Sequence, residues 1–96
     1  MSASIAIQVL PQTNDDQELC RMVDEVIAYI AATGLKYEVG PFETVVEGEF
    51  NVLMDIIRRC TEIPIEQGAP AVKAFVKINH NPSGVLTIGE KIDKYR

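Results

Sequence analysis

Between two stretches of helical periodicity lies a segment that no helix accommodates: Leu35-Lys36-Tyr37-Glu38-Val39, then Gly40-Pro41, then Thr44-Val45-Val46-Glu47-Gly48. Leu35, Tyr37 and Val39 alternate with Lys36 and Glu38, the period of a half-buried strand, and Gly40-Pro41 supplies a turn before alternation resumes. The segment is therefore expected to fold as a β-hairpin. Setting Val39 opposite Thr44 brings Tyr37 opposite Val46 on one face and Lys36 opposite Glu47 on the other, where the charges would pair. A slip of one residue would mix the two faces, so pattern and pairing specify the same register.

The flanks follow from the same kind of reading. Ile5, Ile7 and Val9 alternate with smaller or polar residues and mark a first strand, with Pro11 ending it. Leu19, Met22, Val23, Val26, Ile27 and Ile30 recur at three- and four-residue spacing, which is one apolar stripe of a helix. Asn14 is its expected cap, and Gly34 its left-handed terminator. Phe50, Leu53, Ile56, Ile57 and Cys60 mark a second helix capped by Asn51, which either kinks or breaks at Pro64. Val72, Ala74, Val76 and Ile78 alternate with Lys73, Phe75 and Lys77 in a last strand. Thr87 and Glu90 stand at capping-box spacing, opening a short helix with Ile88, Ile92 and Tyr95 on one face. The expected strands span 4–10, 35–40, 43–48 and 71–79, and the main helices 15–33 and 50–67.

A βαββαβ order with too few strands for two sheets predicts an α+β fold of the ferredoxin-like kind. One four-stranded antiparallel sheet would carry two helices on one face, with the short C-terminal helix added. The 96 residues suffice for a single domain, 1–96. The uncovered face would include Ala6, Gln8, Val45, Glu47 and Phe75, more apolar than solvation alone requires, and so is expected to meet a ligand or another protein surface.

Several functions are disfavoured by what the chain lacks. A net charge of −5 and a pI near 4.7 oppose duplex nucleic-acid binding, which needs basic groups to replace counterions. An RNA-recognition sheet would display aromatics on its central strands, and the first strand offers none. No segment has the length or flanks of a membrane span or signal peptide. Cys20 and Cys60 form no CxxC pair, so neither a redox motif nor a metal site is indicated, and reduced thiols fit a cytoplasmic protein. His80 is the sole histidine and lies in an expected loop, with no nucleophile or acid partner at motif spacing. Among Glu38, Glu43 and Glu47 an acid/base pair is conceivable, but the Lys36 pairing explains Glu47 more simply. The chain is expected to be no enzyme.

The order Gly34-Leu35-Lys36-Tyr37-Glu38, a Gly-Pro turn, and Thr44-Val45-Val46-Glu47-Gly48 resembles the signature of the small thiamine-binding protein family, and the likeness extends over nearly the whole chain. The resemblance implies the same ferredoxin-like fold, non-catalytic binding of thiamine or its hydroxymethylpyrimidine moiety, and a homo-oligomer, either dimer or tetramer. Such a ligand needs a carboxylate, hydrogen-bonding groups and an aromatic or apolar wall. Glu47, Thr44, Gln8 and Tyr37 supply those types and are the candidate ligand-binding residues, with no catalytic residue, metal ligand or cofactor expected. The register sets Tyr37 and Thr44 on the helix side of the sheet and Glu47 on the other. All could then serve one ligand only at an edge or across a subunit boundary. The competing expectation is a structural or regulatory homo-oligomer whose sheet serves assembly without a thiamine ligand.

Overall fold

The computed structural model describes residues 1–96: β1 (Ala3–Pro11), α1 (Asp16–Ala32), β2 (Tyr37–Val39), β3 (Thr44–Gly48), α2 (Phe50–Glu66), β4 (Val72–His80) and α3 (Ile88–Ile92), with a closing 3₁₀ turn (Asp93–Tyr95). The strands join antiparallel in the order β2–β3–β1–β4. Alternation dictates which face is buried: Ile5 lies between Val46 and Ile78, and Ile7 between Thr44 and Val76. Against this face α1 packs Met22, Val26 and Ile30, and α2 packs Leu53, Ile56, Cys60 and Ile63, all buried. The fold is the ferredoxin-like sandwich that the order of elements predicts. No helix is long and apolar enough to cross a membrane.

The caps differ from expectation in an instructive way. Asp15, not Asn14, caps α1, its Oδ1 accepting the N–H groups of Gln17 at 2.8 Å and Glu18 at 3.4 Å. The Thr13 hydroxyl accepts the Asp15 N–H, which holds the cap in place, and an ionised carboxylate suits the positive helix end better than an amide. Asn51 lies inside α2 and caps nothing. There the Ser2 hydroxyl accepts the Phe50 N–H at 3.0 Å and donates to Glu49 at 2.8 Å, so the helix is capped from the segment leading into β1. Gly34 takes the expected left-handed conformation, at φ +77°.

Pro64 neither breaks α2 nor ends it. The helix runs on to Glu66 with the proline ring buried, and the Pro64 carbonyl accepts the N–H groups of Gln67 and Ala69. In the last turn the ring removes one donor and gains burial, which is why it is tolerated. Pro11 likewise stays inside its strand, paired with Val72.

The hairpin has the expected register, Tyr37↔Val46, Glu38↔Val45 and Val39↔Thr44, but β2 is shorter than its alternation promised. Lys36 keeps only a backbone bond, its carbonyl accepting the Glu47 N–H at 3.0 Å. The expected Lys36–Glu47 charge pair is absent, because α3 lies over the far face of the sheet and encloses Glu47. Within α3 the capping box forms as predicted: Glu90 N–H donates to the Thr87 hydroxyl and Thr87 N–H to the Glu90 carboxylate, both at 3.0 Å. Ile88 is buried, whereas Tyr95 is 75% exposed, because the chain tightens into a 3₁₀ turn and rotates that ring away.

The two thiols provide a direct check on this packing. Burial raises the Cys60 thiol to about 11, while Cys20 stands exposed on α1. Alkylation of the native protein at mildly alkaline pH should modify Cys20 and spare Cys60 until denaturant is added. Equal labelling of both without denaturant would contradict the placement of α2.

Candidate ligand-binding site

β1 is longer than one of its neighbours. It pairs with β4 along its whole length, through Pro11↔Val72, but with β3 only as far as Ile7↔Thr44. Past that point the hairpin turn diverges, closed by the Gly40 N–H donating to the Glu43 carbonyl at 2.9 Å. A Cβ on Gly40 would stand 2.8 Å from that same carbonyl oxygen, so this turn needs glycine. Between the far half of β1, the turn and α1 a crevice of about 250 Å³ opens.

Its walls are apolar, built from Val9, Leu19, Val23, Ile27, Val39 and Phe42, and its polar groups are Gln8, Glu43 and Thr44. Thr44 is 7% exposed, and its hydroxyl makes no hydrogen bond within the chain. The Gln8 amide is also free of intramolecular bonds, and past Ile7 the edge of β1 that faces the turn has no strand partner. Glu43 is the one charged group in the crevice, its carboxylate 3.2 Å from the Lys77 ammonium at the rim. A flat molecule could thus lie between hydrocarbon walls, hydrogen-bond along one edge, and place positive charge near Glu43.

Glu47 is occupied elsewhere. It is 5% exposed, and its Oε2 accepts the Ile88 N–H at 2.8 Å, which ties the first turn of α3 to the sheet. An ion pair between Arg96 and Glu38 fastens the end of the same tail. Beneath α3 lies a second cavity, of about 300 Å³, with Ser4, Ala6 and Val45 in its floor. The four residues anticipated from sequence are therefore not one constellation. Gln8 and Thr44 share the crevice, Glu47 lies under α3, and Tyr37 stands on the outer strand, 36% exposed and lining neither cavity. Alternation sends Thr44 and Glu47 to opposite faces of β3, and Gln8, on the Glu47 face by its pairing with Phe75, borders the crevice only where β3 has ended beside it. From sequence Glu43 enters only as a member of an acid/base pair and the Val39–Phe42 wall is not expected, although the unequal lengths of the β1 and β3 patterns are an available signal. His80 is part of β4, its ring stacked on Phe50 at 3.8 Å between centroids, a packing role.

The model of a family described as thiamine-binding protein matches residues 5–96. The chain belongs to the thiamine-binding protein family. Among its relatives is a UPF0045 protein from Clostridium perfringens, 44% identical over 95 residues that make up 99% of this chain and 98% of the relative. A solved Bacillus cereus structure, described as DUF77, a domain of unknown function, superposes with a TM-score of 0.88 at 37% identity, covering 100% of this chain and 91% of that one. A crystal structure from Thermotoga maritima, provisionally assigned to thiamine biosynthesis or salvage, gives a TM-score of 0.87 at 36% identity and covers both chains completely, 100% each way. In this thiamine-binding family member the Glu47-Gly48 end of the hairpin motif serves the architecture: the carboxylate holds α3, and Gly48 leaves room for Leu35 and Leu53.

Removing the Glu47 acceptor tests that assignment. Glu47→Val strands the buried Ile88 N–H and should cost about 1–3 kcal/mol, whereas Glu47→Gln keeps an acceptor oxygen and should cost less. Amide hydrogen exchange in Glu47→Val should accelerate at Ile88 and its neighbours in α3 and leave β1 protected. Unchanged protection at Ile88 would show that α3 is held by other means.

Proposed function

We propose that this protein binds thiamine, or the hydroxymethylpyrimidine moiety of thiamine, and does so without transforming it, in the crevice between β1 and the hairpin turn. The observation that carries this reading is the pairing of apolar walls with polar groups: Thr44 and Gln8 have no partner in the chain, and Glu43, held by Lys77 from outside the lining, is the one carboxylate. An aminopyrimidine displays hydrogen-bond donors and acceptors along its edge, which a side-chain amide, a hydroxyl and an unpaired strand edge answer. Its ring is flat and suits the slot between Val9, Val39 and Phe42. The thiazolium carries a positive charge, which would compete with Lys77 for the half-buried Glu43 carboxylate. The crevice volume of about 250 Å³ lies just below the common range for ligand sites, about 300–1,000 Å³, as suits a ring-sized ligand. The family's description and the provisional assignment of the Thermotoga relative support the same ligand class. Free thiols at Cys20 and Cys60 accord with the cytoplasmic setting that belongs to this reading.

Calorimetric titration with thiamine tests it. Gln8→Ala and Thr44→Val should each weaken binding by about 3- to 10-fold, the loss of one hydrogen bond. Glu43→Gln should weaken thiamine more than the pyrimidine alcohol, which has no thiazolium charge. No heat with wild type at millimolar thiamine would leave the assembly role as the better account.

Assembly has its own motivation. Phe75 is 62% exposed on the sheet face opposite α1 and α2, beside Gln8 in the register, and Leu86 is 57% exposed in the tail. We propose a homo-oligomer, a dimer or a pair of dimers, that covers this apolar surface. Phe75→Asp should lower the sedimenting mass, and a wild-type monomer at micromolar concentration would refute the arrangement.

A further inference from the structure

The cavity under α3 differs from the crevice in both construction and charge. Its floor holds Ser4, which is 6% exposed and makes no side-chain hydrogen bond within the chain. No fully enclosed side-chain polar atom in the structure lacks a partner, so the Ser4 hydroxyl meets its needs only through the cavity. A hydroxyl so placed is a waiting donor and acceptor. Ala6 and Val45 extend the floor along the sheet, while Leu86 and Ile92 supply hydrocarbon from the tail.

The charges select the ligand. Lys77 and Lys91 both border this cavity, and Lys91 has no carboxylate partner. Glu38, the one acid in the lining, is already paired with Arg96. Glu47 stands across from Ser4 in the strand register but does not line the cavity, its carboxylate being turned to the Ile88 N–H. A cation would therefore gain nothing here that the crevice does not offer better. An anionic head would meet the unpaired ammonium of Lys91, and an apolar body would cover Val45 and Ile92.

We propose that the cavity beneath α3 is a second binding site, separate from the thiamine crevice, for a small organic anion with an apolar ring-sized body and a carboxylate or phosphate head. Ser4 hydrogen-bonds the ligand from the floor, and Lys91, the bordering lysine without a carboxylate partner, neutralises the head, Lys77 being already held by Glu43. The volume of about 300 Å³ accommodates one ring with such a head. Because the walls come from both the sheet and α3, an occupant bridges them and holds the tail more firmly than the Glu47 and Glu38 contacts do by themselves.

Benzoate and phenyl phosphate are the probes, with benzyl alcohol as the neutral analogue of similar shape, and the readout is a two-dimensional amide NMR titration of the full chain. Either anion should shift Ser4, Ala6, Val45 and Ile88 and leave Thr44 unmoved, and the tighter of the two identifies the head group. Benzyl alcohol should bind at least about 10-fold more weakly. Lys91→Glu, a change at an exposed position, should weaken the anions by about 10-fold or more and leave the unliganded sheet resonances in place. Ser4→Ala should weaken them by about 3- to 10-fold. Bound anion should also slow hydrogen exchange at the Ile88 amide. Shifts confined to Gln8, Val39 and Thr44, equal affinity for benzyl alcohol, unchanged affinity in Lys91→Glu, or no shifts at millimolar probe would each overturn the proposal. Thiamine binding is tested separately, by calorimetric titration of the crevice variants, so the two readings can fail independently.

Discussion

Nine residues of β1 pair with β4 and only five of them also pair with β3, and that inequality governs the molecule's surface as well as its core. Where both neighbours are present, at Ile5 and Ile7, the strand contributes fully buried side chains on which α1 and α2 converge. Where β3 stops, the same strand keeps its apolar alternation but loses a partner, and Val9 becomes a wall instead of a core residue. Core and crevice are thus one strand under two pairing conditions. The hairpin turn makes the difference, because Gly40 and the Glu43 carbonyl commit it to a tight closure that cannot follow β1 further.

Electrostatics then divides the two faces. On one side of the hairpin the crevice carries a carboxylate, and on the far face the cavity under α3 is bordered by two ammonium groups. The Lys77–Glu43 ion pair stands between them and belongs to both rims. Glu47 lies apart from this division. Enclosed carboxylates are costly unless hydrogen-bonded, and the Ile88 N–H supplies the bond while the capping box fixes its direction. A five-residue helix, too short to be stable alone, is kept in place by that combination.

Much of the fold was legible in the sequence because it rests on periodicity and local chemistry. The hairpin register, the Thr87–Glu90 capping box, the left-handed Gly34 and the split of faces between Val46 and Glu47 all follow from neighbours within a few residues. What escaped depends on distant segments meeting. The cap of α2 is Ser2, far away in the chain, and Glu47 answers to Ile88 instead of to Lys36 across the hairpin. The candidate crevice was legible only in part, for the same reason. Residue types could nominate Gln8 and Thr44, but only the relative ends of β1 and β3 show that they border one crevice, and that Tyr37 and Glu47 do not.

The pairing of β1 with β4 carries a cost in time. Ala3 stands opposite His80, so one side of the central strand finds its partner only after most of the chain has been made. Until then β1 exposes an unpaired apolar edge, the kind that templates pairing with other chains, and closing so long a loop slows the search for the native contact. α1, the hairpin and α2 all lie between those two strands and can assemble first on the β1–β3 pair. Val72–His80 is then the last strand to add, a single antiparallel ribbon completing a half-built sheet, and the newborn protein is most open to wrong partners in the interval before it arrives.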